Sequence, residues 1–63
     1  MDLRVNDQVK TVADLTIGTW PREVPAGTLG VVLDTQYSRA LVRFMLERYP
    51  EDWVPKDVLL PVS

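Results

Sequence analysis

The chain has 63 residues, 46% of them hydrophobic and 25% charged, with neither cysteine nor histidine and a net charge of −2. One small domain of this size buries only about 60% of its unfolded surface. The missing residue types exclude disulfides, a Cys/His zinc cage and the Ser-His-Asp or Cys-His arrangements of nucleophilic catalysis. The composition is also too apolar for a disordered chain, so hydrophobic packing or a partner must hold the fold.

The first residues, Met1 to Arg4, lead straight into mixed sequence, without the apolar run of a signal peptide or a spanning helix. Together with the lack of cysteine this gives the expectation of a cytoplasmic protein. The pair Asn6-Asp7 signals a turn, and β-branched Val9, Thr11 and Val12 favour a strand over Gln8 to Ala13 rather than a helix. From Asp14 to Ala26 the chain carries Gly18, Pro21 and Pro25, which predicts a long first loop. Leu15, Ile17, Trp20 and Val24 give that loop too much apolar surface to be solvated all round, so part of it should fold back onto the body.

The clearest strand is Thr28 to Thr35, opened by Gly27 and Gly30 and centred on Val31-Val32-Leu33. Tyr37-Ser38-Arg39 should form a turn, and Ala40 to Met45 should return antiparallel. Pro50 biases Tyr49 toward extended geometry. Glu51 to Val54 then reads as a short strand, Pro55-Lys56-Asp57 as a 3₁₀ turn, and Val58 to Leu60 as the closing strand before Pro61. The expected fold class is all-β, with five short strands.

Strand alternation carries the sharpest inference about function. If Val32, Val42 and Phe44 face the interior, then Val31, Leu33, Leu41, Arg43 and Met45 face the other way. That side should be mostly polar in a lone domain. Two readings remain open: the residues form a homo-oligomer or partner surface, or Trp20 and Ile17 of the long loop cover them. Trp20, Tyr37, Tyr49 and Trp53, with Arg22, Arg39, Arg43 and Arg48, are of the types that dominate binding hot spots, and aromatics among arginines also suit stacking on single-stranded bases. Trp53 sits mid-strand and reads as core.

Other residues read as structural. Gly27 and Gly30 lack the Gly-Lys-Ser/Thr ending of a phosphate loop, so Gly27 is expected at positive φ and Gly30 at a close strand approach. Adjacent Glu51 and Asp52 point to opposite faces of a strand and cannot act as a carboxylate pair. The remaining aspartates lack calcium-loop spacing and read as turn and cap residues. Neither a metal nor a cofactor is expected, and no catalytic residue stands out.

The spacing Gly27-x-x-Gly30-x-Val32 with the return Val42-x-Phe44 resembles the core of KOW-type and related SH3-like domains. The ending Trp53-Val54-Pro55-Lys56-Asp57-Val58 is similar to the strand, 3₁₀ turn and last strand that close such barrels. The resemblance covers about residues 5 to 62 and implies a five-stranded SH3-like barrel with a long first loop and a 3₁₀ turn before the last strand. Barrels of this size include a small accessory protein of photosystem I and the variable chain of ferredoxin-thioredoxin reductase, which implies a docking or accessory role, a protein partner or self-association, and no enzyme activity. The Ala-Leu-Tyr-Asp-Tyr signature of signalling SH3 domains is missing, so polyproline binding is not implied. RNA-binding KOW domains are usually basic, whereas the seven basic residues here are scattered among nine acids. Nucleic-acid binding through Arg22, Arg39, Arg43 and Arg48 is the alternative function, and an oligomeric enzyme with an interface site is a third.

Overall fold

The computed structural model describes residues 3–62. The chain forms β1 (Gln8–Thr11), β2 (Leu15–Ile17), β3 (Arg22–Val24), β4 (Leu29–Thr35), β5 (Arg39–Phe44), β6 (Glu51–Pro55), a 3₁₀ turn (Lys56–Val58) and β7 (Leu59–Pro61). The fold is all-β. Five strands make one antiparallel sheet in the order β6-β5-β4-β1-β7, and β2 and β3 form a separate two-stranded hairpin. The expected strands and the 3₁₀ turn are present to within two residues at each end.

The long first loop is corrected. Residues 14–26 hold the β2–β3 hairpin, with Leu15 opposite Val24 and Ile17 opposite Arg22. Proline at positions 21 and 25 hides it from a propensity argument, because each lies just outside the three-residue strands that pair. Ile17 and Val24 are buried, and Leu15 packs against the core. The hairpin therefore does fold back, and its apolar side caps the inner face of the sheet.

That inner face is built by alternation. Val9, Val32, Val42, Phe44, Val54 and Leu59 are all buried, and their strand neighbours are more exposed. Burying a side chain of this size contributes about 1.5–3 kcal/mol. Gly30 sits in the row between Val9 and Phe44. A Cβ there would lie 2.6 Å from Val42 Cγ1 and 3.0 Å from the Arg43 carbonyl oxygen, so only glycine lets β4 and β5 approach this closely. Gly27 has φ +87°, as the sequence reading expects.

Turns share one device. The N–H groups of Asp7, Thr28 and Tyr49 donate to the carbonyls of Arg4, Pro25 and Leu46, each closing a four-residue turn. The third residue of each, Asn6, Gly27 and Arg48, has positive φ. That is the requirement of a type II turn, which glycine and asparagine meet most readily. Arg48 does not belong to that set, and Tyr49 beside it also has a positive φ of 45°. The expectation of an extended Tyr49 before Pro50 is therefore overturned: the turn hydrogen bond to Leu46 and the entry into β6 override the local bias.

Thr11 is the one buried polar side chain among the described residues. Its Oγ1 donates to the Pro25 carbonyl at 2.9 Å and accepts the Thr28 N–H at 3.1 Å. Its own N–H and carbonyl bond Thr28 and Gly27. Asp14 Oδ1 accepts the Ala26 N–H at 2.8 Å. These bonds pin the turn that feeds β4.

Candidate functional site

The same alternation that fills the interior lays three rows of side chains on the outer face of the sheet. One row runs Leu60, Lys10, Leu29, Met45, and the next runs Val62, Gln8, Val31, Arg43, Glu51. The third is set by a bulge. Register shifts between Val32 and Asp34, so that Asp34 stands opposite Leu41, which in turn stands opposite Trp53. A bulge presents its extra residue and the next one on the same side, so Leu33 and Asp34 both join Leu41 and Trp53.

Apolar residues dominate this face. Leu29, Met45, Leu60 and Val62 are 49%, 52%, 44% and 38% exposed. Val31, Leu33, Leu41 and Trp53 are half-buried. Leu29 and Met45 are held together by the Met45 N–H, which donates to the Leu29 carbonyl at 2.8 Å. They line a shallow cavity with Gln8, Gly30 and Val31. Trp53 is thus corrected from core to the outer face; Val54 takes the core position beside it.

The polar groups of the face are few and balanced. Arg43 and Glu51 are directly opposite across β5 and β6. Both Arg43 Nε and Nη2 lie 2.9 Å from Glu51 Oε2, with the side chains roughly half exposed. An ion pair this open contributes about 0.2–1 kcal/mol. Lys10 and Asp34 supply one more charge of each sign.

On each edge strand an outward-facing N–H is already taken within the chain. On β6 the even-numbered groups bond β5, which turns the Trp53 N–H outward, and Asp52 Oδ1 accepts it at 2.8 Å. On β7 the Leu59 N–H bonds the Lys56 carbonyl, and Pro61 has no N–H. Glu51 and Asp52 do face opposite ways: Glu51 meets Arg43 on the outer face, while Asp52 reaches the hairpin tip.

The other sequence-predicted residues are dispersed. Trp20, at the tip between β2 and β3, is 90% exposed. With Ile17 in the core, neither residue covers the outer face as one of the two readings had it. Tyr37 is fully exposed at the β4–β5 turn, where Arg39 Nη2 bonds Gln36 Oε1 at 3.1 Å. Arg22 lies half-buried on β3. The structure brings Val31, Leu33, Leu41, Arg43 and Met45 onto one surface, and leaves Trp20, Arg22, Tyr37 and Arg39 outside it. Leu29, Leu60, Val62 and Trp53 belong to that surface and escaped the sequence reading. Leu29 shares the parity of Val31 and Leu33 and could have been read from alternation, whereas the places of Leu60, Val62 and Trp53 depend on how β7 and β6 join the sheet.

Among the described residues no group of three or more His, Cys, Asp or Glu is placed to hold a metal ion, and no helix is long and apolar enough to cross a membrane. The chain matches no family model, no curated protein and no solved structure.

Proposed function

We propose that the chain is a small SH3-like barrel that works as a non-enzymatic docking module in the cytoplasm, presenting the outer face of its sheet to a protein partner. The barrel reading is supported by the strand order β6-β5-β4-β1-β7, the excursion hairpin after β1 and the 3₁₀ turn before the last strand. One observation carries the functional reading: the sheet face opposite the core is largely apolar, and the hairpin covers the other face. Exposed apolar surface of this extent on a small domain marks an interaction site. Trp20 and Tyr37 stand at the tips of the two hairpins as further contact points.

Nucleic-acid binding has less support. Arg43 is paired with Glu51, and Arg22, Arg39 and Arg48 lie on separate elements rather than in one basic stripe. The test is a photo-crosslinking residue placed at Met45 or at Glu23, in cells that make the protein. Adducts with protein formed from position 45 and absent from position 23 support the reading. Equal or absent crosslinking from position 45 overturns it.

A further inference from the structure

We propose that the partner of the outer sheet face is a second copy of this chain, packed face to face; the inference rests on the docking reading above and names its occupant. Three observations favour a copy. First, the two outer edges of the sheet offer few free donors, since the Trp53 N–H is held by the Asp52 carboxylate, the Leu59 N–H by the Lys56 carbonyl, and Pro61 has none. Strand addition at these edges is thereby disfavoured relative to packing through the face.

Second, the charges on the face are compatible with themselves. Lys10 and Arg43 are offset by Asp34 and Glu51, whereas the whole chain is at −2. Two copies meeting there bring no like-signed field together, and a two-fold interface uses the same patch twice. A strongly basic or acidic partner would find nothing to select it.

Third, the area suffices. Three rows crossing four, five and three strands, with positions about 4.8 Å apart across the strands and about 6.8 Å apart along them, give a flat footprint on the order of 400 Å². With side-chain relief added, this approaches the ~800 Å² that each partner buries in a standard interface. Two such sheets stack about 10 Å apart, with Leu29, Met45, Val31 and Leu41 filling the layer between them.

The experiment is sedimentation equilibrium on the full chain across micromolar to millimolar concentration, on the wild type and on Met45→Lys, Leu29→Lys and Tyr37→Lys. All three positions are exposed, so each variant should keep the wild-type circular dichroism. The expected result is a wild-type dimer, association weakened at least about a hundredfold in Met45→Lys and Leu29→Lys because an unpaired ammonium is buried, and no change in Tyr37→Lys at the turn tip. A wild type that stays monomeric throughout, or a dimer indifferent to Met45→Lys, overturns the assignment. A monomer that still crosslinks a foreign protein through position 45 ends the second-copy assignment alone. A monomer that crosslinks nothing ends the docking reading as well.

Discussion

The carboxylate of Asp52 accepts the N–H of Gly18 at 2.9 Å, across 34 positions of sequence, and so ties the tip of the β2–β3 hairpin to the edge of β6. Its second oxygen holds the Trp53 N–H. One side chain thus replaces the strand pairing that the hairpin and the sheet edge do not make with each other. Replacing Asp52 with alanine leaves two N–H groups without their acceptor. The expected loss is about 1–2 kcal/mol. Amide exchange should accelerate first at Gly18 and Trp53, while Val32 and Val42 keep their protection relative to global stability. Unchanged exchange at Gly18 would show that the hairpin is held by its apolar side alone.

Gly27, in the turn before β4, and Gly30, within β4, should resist alanine for different reasons. At Gly30 an added methyl meets Val42 and the Arg43 backbone, and overpacking of this kind costs about 1–3 kcal/mol. At Gly27 the space is open, and only the positive φ resists alanine, by about 1–2 kcal/mol. Urea midpoints should place Gly30→Ala below Gly27→Ala. Gly30→Ala should also perturb the methyl resonances of Val42, which Gly27→Ala should leave unshifted.

Thr11→Val keeps the shape of a buried side chain and removes its hydroxyl. The Pro25 carbonyl and Thr28 N–H each lose one partner but keep their bond to each other, and the expected destabilisation is about 0.5–1.5 kcal/mol. Thr11→Ser retains the hydroxyl and should recover at least half of the loss. A Val variant as stable as the wild type would mean that the backbone bonds of Thr11 to Gly27 and Thr28 hold the turn unaided.

Arg48 occupies a position that glycine fills more readily, with φ 66°. Arg48→Gly should therefore stabilise the chain by roughly 0.5–1 kcal/mol, visible as a higher melting temperature. A lower melting temperature would show that the arginine side chain makes up for its backbone strain through contacts in the Met45–Tyr49 segment.

The parts of this fold that are legible in the sequence are those set by short-range rules. Val32, Val42 and Phe44 alternate with their neighbours, so the inner and outer sides of the central hairpin follow from period two. Gly27 and Pro55-Lys56-Asp57 announce their turns by backbone chemistry. Three features were hidden for physical reasons. The β2–β3 strands are three residues long, too short for periodicity to show. The bulge after Val32 moves Asp34 to the outer side, and a one-residue slip of that kind depends on how β4 meets β5, not on β4 itself. Trp53 went to the surface because Val54, opposite Ala40, already fills the core layer there. The site was half legible for the same reason: most of the share supplied by β4 and β5 could be read from alternation, though Leu29 at the start of β4 escaped, and the share from β1, β6 and β7 needed the strand order.

The position of β1 between β4 and β7 shapes how the molecule assembles. The β4–β5–β6 meander links neighbours in the chain and closes small loops. The β1–β7 ladder, by contrast, must join Thr11 to Leu59. Loop-closure entropy makes such distant pairing the slow step, with folding in about milliseconds to seconds for sheets rich in non-local pairs. On the ribosome, the last strand cannot dock until residues 59–61 have emerged. Until then Gln8, Lys10 and Val12 present a bare edge, and the nascent chain passes through an interval in which the apolar rows and an unpaired strand are exposed together.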